Sequence, residues 1–174
     1  MKSITIFFGL VLLLASFGSI SKSKTYKIKG KVTTSGSYCG GMAPTREMEA
    51  EARRVRPFVG YKVYVFKGTE YNFNNKFVTF IETDSLGEYE LNLSNGEYIL
   101  LSETQINKNL IPTLKKSKSV RIHDEATILK WQKNGFAKIK VDSKDMEVEK
   151  FHVGKRCFLP NEIPGISYTG PYPP

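Results

Sequence analysis

Residues 83–103 read T-D-S-L-G-E-Y-E-L-N-L-S-N-G-E-Y-I-L-L-S-E, and this stretch constrains the fold more than any other. Tyr89, Leu91 and Leu93 alternate with Glu88, Glu90 and Asn92, the period-two pattern of a strand with one face buried. Asn95-Gly96 follows, a pair that tolerates positive φ and so predicts a type I′ hairpin to a return strand over residues 97–102. Upstream, Asp84-Ser85-Leu86-Gly87 has Asp first and Gly fourth, the chemistry of a second turn, here from a strand over 77–83. The predicted element is a three-stranded antiparallel meander.

The N-terminus reads differently. Lys2 precedes an apolar run over residues 4–14, and small residues follow to Ser21. The run is short for a membrane span and has the length of a secretory signal, so residues 1–21 are read as a signal peptide. An uncleaved anchor is the alternative. Removing 21 of the 174 residues leaves one domain by size, and removes one positive charge from the +9 of the whole. Most lysines stand singly between strand residues, as edge-protecting and solubilising charges do. Weak binding to an anionic surface is the alternative reading of that charge. No nucleic-acid-binding motif is present, and an exported chain does not call for one.

Residues 26–32 alternate Tyr26, Ile28 and Val32 with lysines and predict the first strand. Residues 45–56 break the pattern. Thr45 is an N-cap candidate, acidic residues come early and Arg53, Arg54 and Arg56 late, and Pro57 ends the segment. This predicts a short helical insertion. Residues 61–67 are apolar on both faces and predict a central strand. Residues 106–120 read as an irregular basic connection, and 126–132 as a strand ending at Trp131. Asn134-Gly135 is read as a turn before strands over 136–141 and 148–153. Residues 159–174 hold five of the eight prolines and predict an extended surface tail. The domain is therefore expected over residues 22–158.

Gly30-x-Val32, then Gly60-x-x-Val63-x-Val65, then Asp84-x-x-Gly87-x-Tyr89-x-Leu91 with Gly96-x-Tyr98, resembles the carboxypeptidase regulatory-like domains. The likeness spans roughly residues 26–103. It implies an all-β fold: an antiparallel transthyretin-like (prealbumin-like) β-sandwich of seven to eight strands, here with one short inserted helix. It also implies a stand-alone exported protein of the Bacteroidota type that folds, binds or spaces, with no catalytic residues and no cofactor. No His-x-x-Glu zinc motif is present despite the family name.

Few residues are candidates for chemistry. Cys39 and Cys157 are the only cysteines, and in an exported chain a disulfide between them is the default. Two free thiols are the alternative. A sharper alternative is zinc held by Cys39, His123, His152 and Cys157, although the spacing fits no known knuckle. A Cys157–His152 nucleophile pair lacks an orienting third group. Glu82, Asp84 and Glu88 surround the first turn; turn capping explains them without calcium, since EF-type spacing is absent. The aromatics are expected mainly in the core, with Trp131 as the residue to inspect for sugar stacking.

The expected function is a non-enzymatic binding or structural module at the cell envelope, periplasmic or extracellular and monomeric. Its partner would be an envelope protein or a glycan. A metal- or thiol-dependent envelope protein and a carbohydrate-binding module are the alternatives.

Overall fold

The computed structural model of the chain describes residues 24–160 and 162–171. Residues 1–21, read above as a signal peptide, lie outside the described residues. In chain order the elements are β1 (Thr25–Gly36), α1 (Arg46–Arg53), β2 (Arg56–Pro57), β3 (Lys62–Lys67) and β4 (Phe77–Glu82). Then come β5 (Glu88–Ser94), β6 (Gly96–Ser102), α2 (Leu110–Lys116), β7 (Val120–Ile122) and α3 (Glu125–Asn134). The last are β8 (Ala137–Val141), β9 (Met146–Glu147), β10 (Phe151–Lys155) and β11 (Ile166–Tyr168).

Two sheets face each other. The first is built on β1, whose length lets it take different neighbours along its two halves. Lys29 pairs with Glu90 of antiparallel β5 and with Glu147 of parallel β9. Thr33 pairs with Pro57 of antiparallel β2 and with His152 of parallel β10. The second sheet has the order β4-β3-β6-β8 and is antiparallel throughout. The core between them draws on Tyr26, Ile28 and Val32 of β1 and Tyr89, Leu91 and Leu93 of β5. Opposite lie Val63 and Val65 of β3, Tyr98 and Leu100 of β6, and Ile139 and Val141 of β8. The alternation read in the sequence therefore assigns the inner faces of β1, β5 and β8, while β3 and β6 are apolar on both faces. The protein is a mostly β sandwich.

The expected meander does not form. β5 pairs with β1, β6 pairs with β3 and β8, and β4 pairs with β3. Both turns of the opening stretch thus carry the chain from one sheet to the other. Asn95-Gly96 is not a type I′ turn: Asn95 does not have a positive φ, and only Gly96 does, at 146°. The Asn95 amide is instead tied to Ser143, accepting from its backbone N–H at 2.9 Å and donating to its hydroxyl at 2.9 Å. The reason is burial. Tyr89, Leu91 and Leu93 must face Tyr98 and Leu100 across the core, and a flat hairpin would put both sets on one face of a single sheet.

The helices also depart from expectation. Residues 126–132 belong to α3, not to a strand. Asp124 caps it, accepting from Ala126 N–H at 2.9 Å, and Gly135, at φ 59°, closes it. The Asn134-Gly135 signal is thus a helix end. Residues 106–120 contain α2, where Pro112 sits in the first turn and needs no N–H partner. The expectation of one inserted helix is therefore replaced by three helices among the described residues. Of the expected strand over 148–153, only residues 151–153 are strand, in β10; β9 precedes it, and both β9 and β10 run parallel to β1 rather than antiparallel.

α2, α3, β7 and β11 form a unit with its own core of Leu110, Leu114, Ile128, Ile163 and Ile166. Residues of the Pro-rich tail supply β11, which pairs antiparallel with β7. A third cluster, Phe66, Tyr71, Ile99 and Leu101, lies on the outer face of the second sheet.

Candidate functional site

The residues singled out in the sequence are spread across the molecule and mostly hold it together. Cys39 and Cys157 are joined, with Cα atoms 5.4 Å apart. Neither sulfur is a free thiolate, so neither serves as a zinc ligand or nucleophile in this state. His152 projects from β10 beside β1, with Nδ1 3.1 Å from the Thr33 hydroxyl and Nε2 3.0 Å from that of Ser35. His123 belongs to the helical unit, with Nε2 2.8 Å from the Ser167 hydroxyl. Among the described residues no group of three His, Cys, Asp or Glu side chains is placed to hold a metal.

Asp84 turns the chain at the corner between β4 and β5. Its Oδ1 accepts from Leu86 and Glu88 N–H groups, each at 2.8 Å, and its carbonyl accepts from Gly87 at 3.0 Å. Gly87 has φ 73°, and a Cβ there would sit 2.4 Å from the Val32 carbonyl oxygen. The acidic group at this corner is therefore spent on backbone donors. Asn95 and Gly96 form the other corner, as described.

The tail is latched at several points. Arg156 donates to the carbonyls of Ile163 and, at 3.4 Å, of Ile166 and Pro160. Burial lowers the pKa of that guanidinium. Glu162 brings its carboxyl against Tyr61 and Ser102 at one end of the sandwich, where Tyr61 also meets the rings of Phe58, Phe136 and Phe151. Glu162 Oε2 and the Tyr61 hydroxyl are buried without hydrogen-bond partners. Burial raises the Glu162 carboxyl above the usual carboxylate range. Burial, and then the Glu162 charge, raise the Tyr61 phenol.

The outer face of the second sheet is built otherwise. Ile99 and Leu101 are covered, and Gln105 beside them donates to the Trp131 carbonyl at 2.9 Å. The β3–β4 side stays open. Phe80 stacks on Tyr64 with centroids 5.7 Å apart, and Phe77 meets Phe66 edge-on at 5.5 Å. Phe66 continues to Tyr71 at 4.9 Å, and Tyr71 to Phe73 at 5.3 Å. Phe73, Phe77 and Phe80 are 42%, 49% and 52% exposed. Phe77 and Phe80 on the sheet face, with Phe73 on the adjoining loop, form an apolar patch of the kind that marks interaction surfaces.

Sequence reading expected these phenylalanines in the core and looked to Trp131, which is half-buried in the helical unit. The signal was the spacing Phe77-x-x-Phe80, which breaks strict alternation. A β-bulge opposite Val65 and Phe66 puts both rings on the outer face.

No family model matches the sequence, and no curated protein matches it. Two solved structures are similar in outline. One is the minor pilin GBS52 of Streptococcus agalactiae, at 12% identity and TM-score 0.35, covering 82% of this chain and 48% of the pilin. The other is the major plantain pollen allergen Pla l 1, at 13% identity and TM-score 0.36, covering 78% of this chain and 98% of the allergen. This chain spans about half the length of the pilin.

Proposed function

We propose that this protein is an exported, non-enzymatic β-sandwich that binds a component of the cell envelope, in the periplasm or outside the cell, as a monomer. The observation that carries the reading is the open aromatic face of Phe77 and Phe80, set on a four-stranded sheet that is itself buried on its other side, with Phe73 on the adjoining β3–β4 loop. Rigid elements hold binding constellations better than loops do. The Cys39–Cys157 disulfide supports export, because such bonds persist in oxidising compartments. The Asp84-x-x-Gly87-x-Tyr89-x-Leu91 motif forms the corner between the two sheets. That placement supports the carboxypeptidase regulatory-like resemblance and its implied role as a folding, binding or spacing module.

The metal- or thiol-dependent alternative has less support, since its two cysteines are consumed by each other and its two histidines face different hydroxyl partners.

The test is co-sedimentation of the purified exported chain with a total envelope preparation. Wild-type protein is expected in the pellet, and Phe77→Ser/Phe80→Ser in the supernatant with an unchanged thermal melt. Wild-type protein that stays in the supernatant would contradict the proposal.

A further inference from the structure

We infer that the open aromatic face is a glycan-binding platform, on which sugar rings stack against Phe80, Phe77 and Phe73. This rests on the envelope-binding reading above and names its ligand class.

The size of the patch points to a glycan. At the exposures given, the three rings offer about 300 Å² of apolar surface. A stable protein partner, a second copy included, needs about 800 Å² from each side. An extended oligosaccharide needs much less, because one sugar ring covers roughly one aromatic ring. The rim of the patch is polar. The loop between β3 and β4 exposes Asn72 and Asn74 beside Phe73. The Asn72 side-chain Oδ1 accepts from Asn74 N–H at 2.9 Å, but its Nδ2 group and the Asn74 side-chain amide make no hydrogen bond among the described residues. Unused amide groups beside open aromatic rings match a ligand with C–H faces and hydroxyl edges.

The charge around the patch is mixed. A membrane-docking patch would ring its aromatics with cations. Here the sheet end carries Lys62 joined to Glu103 at 3.3 Å, and the loop end carries Lys133 joined to Glu70 at 2.9 Å. Glu82 lies on β4 itself. Signs are mixed, so the face does not select anionic headgroups. Lys108, 5.6 Å above the Phe73 ring, and the exposed Lys76 next to Phe77 are cations at that end and would favour an acidic sugar over a neutral one there. Addition of a peptide strand to the β4 edge is opposed by the bulge in β4.

The experiment uses the full exported chain and three probes: insoluble neutral polysaccharide, purified peptidoglycan sacculi, and vesicles of one-third anionic lipid. Binding of wild type to at least one of the two glycans, surviving 0.5 M salt, is the expected result. Phe77→Ser/Phe80→Ser should weaken it at least tenfold, and Asn74→Ala about threefold. Leu129→Ser, at an exposed apolar position of α3, should leave it unchanged. Retention on vesicles alone would overturn the inference in favour of membrane docking. Concentration-dependent dimerisation lost in the double variant would overturn it in favour of self-association. Sedimentation with whole envelope but with neither glycan would overturn the ligand class while leaving envelope binding intact. Wild type that sediments with nothing would remove both.

Discussion

At the scale of single residues, Glu162 and Gly87 illustrate opposite uses of a constrained position. The Glu162 carboxyl is buried against Tyr61 with one oxygen unpartnered, and burial raises its pKa. A raised acid favours folding most when it is protonated. Its stabilising effect is full below the ordinary value of 4.5 and is lost as pH rises through the raised folded value. Glu162→Gln should therefore gain stability over wild type above about pH 5, on the order of 1 kcal/mol at neutral pH, with no gain near pH 4. Urea midpoints at several pH values would show this. Gly87 is strained for any other residue, since its φ is positive and a Cβ would meet the Val32 carbonyl. The Gly87 carbonyl also accepts from Val32 N–H at 2.8 Å. Gly87→Ala should cost about 2–4 kcal/mol, read as a lower urea midpoint with an unchanged slope.

At the scale of elements, strand existence was legible and strand pairing was not. Period-two runs located β1, β5 and β8 because alternation reports which side chains face the core, whereas β3 was read from an apolar run and β6 from the Asn95-Gly96 turn before it. Pairing depends on which strands share a sheet, and local turn chemistry does not encode that. The same Asp84 and Asn95 turns could serve a hairpin or a sandwich corner; packing of Leu91 and Leu93 against Leu100 decides for the corner. α3 was missed because Gln132, buried and donating to the Gln105 and Asn107 carbonyls, breaks the apolar helical stripe. Its caps, Asp124 and Gly135, were the better signals. Asp124→Ala should cost about 1 kcal/mol, measured by thermal melt and by lost helical circular dichroism. The aromatic face was hidden by the bulge, which shifts Phe77 and Phe80 onto the same side of β4. A bulge leaves only a small defect in the pattern, easily taken for a loose strand end.

At the scale of the whole molecule, the disulfide closes a loop of 118 positions between the Cys39-Gly40-Gly41 loop after β1 and the start of the tail. A closure this long restricts the unfolded chain most, so Cys157→Ser should cost about 2–5 kcal/mol. The folded form should change little, because β11, Arg156 and the Ile163–Ile166 core also hold the tail. The most direct measurement is the intact mass of the protein recovered from outside the cytoplasm, alkylated with and without prior reduction. The account predicts a chain lacking the first 21 residues, two hydrogens lighter than its reduced form, alkylated only after reduction. A chain that retains those residues, or carries two thiols alkylated without reductant, would contradict it.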